Sequence, residues 1–420
     1  MPTAITTAYL AEALKESRAR TLALIDDLDP AQLIGPTLAI VNPPLWEIGH
    51  IAWFHEHFVL RPLDPKPLAI EGADALYDSS NVAHATRWSL PLPTLARTKE
   101  YLADVLAREL DRLAGEMAAD ADATLYQLAL FHEDMHGEAL LYMRQTLGYR
   151  APRLVVDEVE EAGPLPGDVE VGGGPFLLGA ERSAPFLFDN EKWAHRREVH
   201  PFRIARAPVT NAEFAAFIAD GGYAKPRYWD EEGWAWRKAA RAEHPVYWRD
   251  QGQYRFEERR FDRWEALRPH RPVIHVNWHE ATAWCRWAGR RLPTELEWEA
   301  AASGPDKRRL PWGEELVPAA LDARSLGPVD VAAYPQGDSP WGCRQMIGNV
   351  WEWTASPFTP YPGFSPDTYR DYSEPWFGTH KVLRGGAWAT RSRLITTTYR
   401  NFFTPARRDV LAGFRTLAID

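Results

Sequence analysis

The sequence predicts an α+β protein of two dissimilar parts, a four-helix bundle followed by a domain of short strands and long irregular loops. Three observations carry that expectation. Up to about residue 150, apolar residues recur at helical spacing. Residues 156–170 then break the pattern with six acidic residues and Gly163, Pro164, Pro166 and Gly167, the composition of a linker. Beyond them the chain turns rich in Gly, Trp and Arg, and most of its 19 tryptophans lie after residue 190. A chain of 420 residues exceeds one ordinary core. The expected domains are residues 1–155, a linker at 156–170, and 171–420.

Taken in order, Ala8 to Asp27 sets Leu10, Leu14, Leu22 and Ile25 mostly at helical spacing. Leu45 to Leu60 places Trp46, His50, Phe54 and Phe58 four apart on one face, with Ile51 beside them. Thr94 is the expected N-cap of a long amphipathic segment, Leu95 to Met117. Gln127 to Leu147 is the fourth helix, ended by Gly148. Bundle cores of this kind are common metal sites. In the second part, Pro175 to Gly179 and Phe202 to Ala205 are strand-like, and Asn211 to Ile218 and His279 to Ala288 are helical windows.

A net charge of −10 and a pI of about 5.8 argue against a nucleic-acid partner held through phosphates. No apolar run approaches the roughly 18 residues of a membrane span, so no membrane partner is expected. The first residues, with Glu12, Lys15, Glu16, Arg18 and Arg20, resemble an exposed helix face rather than a targeting segment. Two cysteines, Cys285 and Cys343, cannot build a disulfide framework, and a cytoplasmic setting is expected.

The densest chemistry lies in Phe131-His132-Glu133-Asp134-Met135-His136-Gly137-Glu138. His132 and His136, four apart on a helix, share a face and can reach one ion. His50, on another helix, would complete a three-histidine face with open coordination positions. Metal-bound histidines are usually oriented through the second ring nitrogen. Glu47, Glu133, Asp134 and Glu138 are candidates for that task, and Glu138 is preferred for its closeness to His136 on the same helix. The same octapeptide also satisfies the His-Glu-x-x-His zinc-protease motif with Glu133 as base. His55 and His57 are expected to be packing or surface residues. The glycines at 172–174 are expected to make a turn.

Six ordered phrases give the second half its family likeness: Ala207-Pro-Val-Thr-Asn-Ala-Glu-Phe214, Pro272-Val-Ile-His-Val-Asn-Trp278, Arg291-Leu-Pro-Thr-Glu-Leu-Glu-Trp-Glu299, Met346-Ile-Gly-Asn-Val-Trp-Glu-Trp353, Val382-Leu-Arg-Gly-Gly-Ala-Trp388 and Ala412-Gly-Phe-Arg415. Together they resemble the formylglycine-generating-enzyme-like domain, a variant of the C-type lectin fold. The Gly-Asn-Val-Trp-Glu-Trp and Arg-Gly-Gly phrases are expected to be structural. The first half resembles the DinB-like four-helix bundle, whose histidine triad matches His50, His132 and His136. This pairing is similar to the ergothioneine, ovothiol and selenoneine synthases.

That resemblance implies a non-heme Fe(II) cofactor on the three histidines, O₂ as co-substrate, and hercynine (trimethylhistidine) as the acceptor of sulfur or selenium at its imidazole carbon. It implies Asn401 and Phe402 at the trimethylammonium group, Phe403 where relatives facing a peptide-like donor have an aspartate, and Tyr361 or Tyr77 as the catalytic tyrosine. Arg87 and His84 are expected near the donor. The departures are informative. Met135 replaces a glutamine of the sulfur-using enzymes, Gly137 follows His136, and no Arg-Pro-x-Arg-Gly segment appears. With the Leu76-Tyr-Asp-Ser-Ser80 phrase, they favour the selenoneine-synthase branch and a neutral selenosugar donor over γ-glutamyl-cysteine or cysteine. A DinB-type thiol transferase or a lectin-like binding module is the more distant expectation. A true formylglycine-generating enzyme needs a reactive cysteine pair near its last motifs, and none follows Cys343.

Overall fold

The computed structural model describes residues 5–64, 66, 69–115, 120–184 and 186–419. They form two compact units, the first built mainly from residues up to Leu147, the second from Val155 to Arg182 and from Leu187 onward.

Four long helices make the first unit: α1 (Thr7–Ala23), α2 (Pro44–His55), α3 (Leu95–Ala114) and α4 (Asp120–Leu147). Thr6 and Thr94 cap α1 and α3, each hydroxyl accepting a backbone N–H three residues on. Helix α1 stops earlier than its apolar spacing predicts. Leu24–Asp27 turns instead, because Arg144 donates to the Leu24 carbonyl and to both Asp27 oxygens. Helix α4 starts seven residues ahead of Gln127, and Met117 lies outside the described residues. Every residue of α2 is buried. An all-round buried helix must sit centrally, and α2 packs on both α3 and α4. A π-helical turn, Glu56–Leu60, follows it directly.

One buried polar tie joins all four helices. Glu133 of α4 accepts from Arg18 Nε and Nη2 (3.0 and 3.2 Å) and from Thr21 Oγ1 (2.7 Å), and His55 Nε2 is ion-paired with it at 3.1 Å. His55 Nδ1 meets Glu109 of α3 at 3.0 Å. All five side chains are 0–3 % exposed. Buried charges persist only when paired in this way.

The second unit holds two four-stranded sheets. One runs in the order Asp168–Val171, Phe202–Ala205, Leu417–Ala418, Arg290–Arg291, all antiparallel. The other runs Asn401–Phe403, Lys381–Arg384, Trp351–Pro357, Ala412–Gly413, with only the last pair parallel. Helices Asn211–Ala219 and Trp278–Ala288 stand where expected. Glu295–Ser303 was not anticipated, although Thr294 and Glu297 form a capping box at its start. Glu231–Ala240 was missed too, with Asp230 as its cap.

The acidic stretch is no free tether. Asp157 pairs with Arg324, Glu161 pairs with Arg268, and Asp330 accepts from the backbone of Ala162 and Gly163. Asp168–Val171 is already a strand. Opposite charges elsewhere in the chain, invisible to a composition window, bind this segment to the second unit.

The tryptophan- and glycine-rich phrases build the interior of that unit. Asn349 holds Val329 through both its amide atoms (2.9 and 3.0 Å). Glu352 accepts from Trp298 Nε1 (2.7 Å) and Arg415 Nη2 (3.0 Å). Gly385 has φ +96°, and a Cβ there would lie 2.5 Å from the Met346 carbonyl oxygen, so only glycine fits.

Candidate metal centre

Helices α2 and α4 bring His50, His132 and His136 together, with one ligand nitrogen from each inside a 4.8 Å group. One helical turn separates His132 from His136, and their Nε2 atoms stand 3.1 Å apart. Two nitrogens each about 2.1 Å from a common ion, at roughly right angles, would be separated by about that distance.

The second ring nitrogens are committed. His50 Nδ1 donates to the Tyr77 carbonyl at 2.7 Å, and His136 Nδ1 donates to Glu47 Oε1 at 2.6 Å. A carbonyl can only accept, so His50 carries its proton on Nδ1 and offers Nε2. The ionised Glu47 fixes His136 in the same sense. Glu47, rather than Glu138, is therefore the orienting carboxylate. Two positions along a helix is about 200° of rotation, which turns residue 138 away from the face His136 uses.

Burial and the neighbouring histidines hold His50 and His132 in the neutral form. Desolvation, with the His136 charge, lowers the His50 pKa to about 3, and burial plus His136 and His50 put His132 well below its usual range. Burial opposes ionisation of Glu47, but His136 outweighs it and holds the carboxyl below its ordinary value. Neutral imidazoles with aimed lone pairs are what a divalent transition metal requires, so the residues present fit such an ion.

An aromatic shell fixes the rings. Trp46 stacks on His50 (centroids 4.9 Å, 8° between planes), and Phe54 stacks on His132. Trp46 Nε1 donates to the Leu76 carbonyl, next to the one that receives His50. Both carbonyls lie in the last turn of the short helix Ala73–Tyr77, where carbonyls lack intrahelical partners. Neither Trp46 nor this helix was anticipated as part of the site. Their signal is the Trp-x-x-x-His spacing, which reads equally well as core.

The other expected site residues are distributed unevenly. Tyr77 is fully buried, its ring lying against Gly49, and burial raises its hydroxyl pKa to about 12. Its backbone carbonyl accepts from His50. His84 Nε2 donates to the Val41 carbonyl (2.7 Å). Arg87, 8 % exposed, donates to Asn42 Oδ1 (2.7 Å) and lies over Trp46. Glu133 is occupied by Arg18, Thr21 and His55, so it is no free base, and the protease reading of the octapeptide fails. His55 is an interior charge rather than a surface histidine. Burial works against its protonation, yet Glu109 and Glu133 raise its pKa to about 9.

In the second unit, Tyr361 is 5 % exposed, donates to Glu295 Oε2 (3.2 Å) and carries the Arg400 guanidinium over its ring (4.1 Å). Asn401, Phe402 and Phe403 form an edge strand of the second sheet. The two-residue period puts Asn401 and Phe403 on one face and Phe402 on the other. Phe402 stacks on Phe358 (4.1 Å, 12°), edge-on to Tyr372 and His380. Arg407 lies over Phe403 (5.3 Å).

Comparison with known proteins agrees with this division. Residues 13–143 match the DinB superfamily, and residues 155–419 match the sulfatase-modifying factor enzyme 1-like domain. The chain is 40% identical to the hercynine oxygenase of Mycolicibacterium thermoresistibile over 97% of its own length and 94% of that protein. It is 42% identical to the hercynine oxygenase of Mycobacterium tuberculosis, covering 96% of each. A formylglycine-generating enzyme of Thermomonospora curvata matches 60% of this chain at 32% identity. The fold and site thus define an enzyme with a DinB-like bundle and a formylglycine-generating-enzyme-like domain. The chain belongs to the ergothioneine-synthase-like family that pairs these domains, and it is an enzyme of the oxidoreductase class. Cys285 and Cys343 are both buried, and burial pushes the Cys343 thiol up to about 11, which suits neither for the cysteine chemistry of a formylglycine-generating enzyme.

Proposed function

We propose that this chain is a non-heme iron(II), O₂-dependent synthase that forms a bond between a chalcogen and the imidazole carbon of hercynine, with a selenosugar as donor and selenium as the chalcogen. The observation that supports it most is the three-histidine face in a chain whose near-full-length relatives are named hercynine oxygenases. Three histidine ligands leave open positions for O₂, donor and acceptor. When bound, the iron supplies O₂ activation and electron transfer.

The chain's own residues provide the rest. Glu47 and the Tyr77 carbonyl hold Nε2 of His136 and His50 toward the ion. Trp46, Phe54 and the buried rings around them exclude water from the ligand side. In the second unit, Asn401 and Phe402 are the residues assigned to the trimethylammonium group, which cannot donate a hydrogen bond and binds aromatic faces. For the donor, the lean toward selenium follows from Met135, from the missing Arg-Pro-x-Arg-Gly segment and from Phe403. Arg87 and His84 also spend their hydrogen bonds inside the first unit, which suits a donor without a carboxylate to grip.

A donor competition tests the reading. Iron-loaded protein given hercynine, O₂ and equal amounts of selenosugar, γ-glutamyl-cysteine and cysteine should yield chiefly the selenium adduct by product mass. A sulfoxide adduct as the main product would move the chain to the ergothioneine branch and overturn the donor assignment.

A further inference from the structure

Two of the three metal-facing histidines are steadied by one residue expected to touch substrate. We infer that Arg87 is a positioning residue of the metal centre, clamping His50 through Trp46 and His136 through Asn42 and Glu47. The inference rests on the proposed histidine site and adds a role that site does not by itself require.

The first branch is a stack. The Arg87 guanidinium lies 3.9 Å from the Trp46 ring centroid, and Trp46 lies 4.9 Å from His50 and within 8° of parallel. Trp46 thus carries a cation over its ring while it stacks on the imidazole, and its Nε1 is pinned by the Leu76 carbonyl at 2.7 Å. The second branch is a hydrogen-bond relay. Arg87 Nη1 donates to Asn42 Oδ1 (2.7 Å), Asn42 Nδ2 donates to Glu47 Oε2 (2.8 Å), and Glu47 Oε1 receives His136 Nδ1 (2.6 Å). The direction of this relay is forced, since a guanidinium can only donate and a carboxylate can only accept. The Asn42 amide therefore has one orientation. The other Arg87 terminal nitrogen, Nη2, reaches the carbonyls of Val82 and Ser79 at 3.3 and 3.4 Å, fixing the guanidinium plane.

Both branches act on ring orientation, which governs how tightly imidazoles hold an ion; removing such outer partners typically weakens metal binding about 10–100-fold. Donor binding would leave a different signature. A residue that grips the donor alters the donor KM and leaves the empty metal site unchanged.

Cobalt(II) is the probe, bound to the full chain without hercynine or donor. Arg87→Met keeps bulk over Trp46 while removing the charge and the relay. Asn42→Ala cuts the relay and leaves the stack. For both variants the Co(II) dissociation constant should rise about 10-fold or more, with a changed visible absorption spectrum and unchanged far-ultraviolet circular dichroism. Asn42→Ala stands alone if Arg87→Met does not fold. Co(II) affinity and spectrum equal to wild type in both variants, with a raised donor KM in Arg87→Met, would show Arg87 to be a donor ligand and overturn the inference. His132→Ala separates the two levels: if it too binds Co(II) like wild type, the histidine site itself is wrong.

Discussion

Single side chains carry most of the chemistry, and two of them are directly testable. His132→Ala should abolish metal-dependent turnover while the chain stays folded, because His132 offers a ligand nitrogen and is not part of the tie between helices. Full turnover in that variant would remove the triad. Gly49 tests how tightly the ligand helix is seated. A Cβ there would overlap the Tyr77 ring, so Gly49→Ala should lower stability by about 1–3 kcal/mol. It should also displace the carbonyl that holds His50, lowering metal affinity. His132 and His136 pair by spacing alone, since four residues on one helix is geometry, whereas His50, on another helix, was joined to them through the family pattern. Their supports were not. Glu47 lies 89 residues from His136 and Asn42 lies 45 from Arg87, and no local pattern reports such contacts. Proximity in sequence pointed to Glu138 and to a substrate role for Arg87, whereas the fold turns Arg87 inward. Gly137 has a similar lesson: a Cβ on it would face Leu24 at 3.7 Å, toward α1, so its place beside His136 does not put it at the ligand face.

Helices, not residues, are what the Glu133–Arg18–His55–Glu109 tie holds in register. Its loss should be costly because one charge stays behind. Arg18→Met is expected to destabilise the bundle by about 3–5 kcal/mol in urea unfolding followed by helical circular dichroism. His55 adds a pH dependence with a definite sign. Its folded pKa, about 9, exceeds the ordinary histidine value of 6.5, so protonation favours the folded state. That contribution is complete below about pH 6.5 and is lost as pH rises through about 9. Between pH 7 and 9.5 the wild-type chain should lose more melting temperature than His55→Gln, and equal losses would contradict the assignment. On the acid side the metal-free site works in reverse. His50 and His132 are folded in neutral form, so stability falls as pH drops below about 6.5 and the unfolded histidines take up protons. Helical elements were largely visible from periodicity, but their ends depended on tertiary partners, such as Arg144 drawing Leu24–Asp27 into a turn. The π-helical turn after α2 had no sequence signal.

At the scale of the molecule, the helical unit carries the three histidines, and the second unit carries the edge strand Asn401–Phe403. The glycine- and tryptophan-rich phrases were legible as family markers and as core. Gly385→Ala, forced into φ +96° against the Met346 carbonyl, should cost about 1–3 kcal/mol and destabilise the second unit. The acidic segment was misjudged because its partners, Arg268, Arg324 and Asp330, lie more than a hundred residues away. Whether the proposed triad drives O₂ chemistry on hercynine is read directly from O₂ uptake by iron-reconstituted protein. Uptake should need Fe(II), hercynine and a selenol or thiol donor together, and should disappear in His132→Ala. No uptake with hercynine and any of those donors would contradict the proposal.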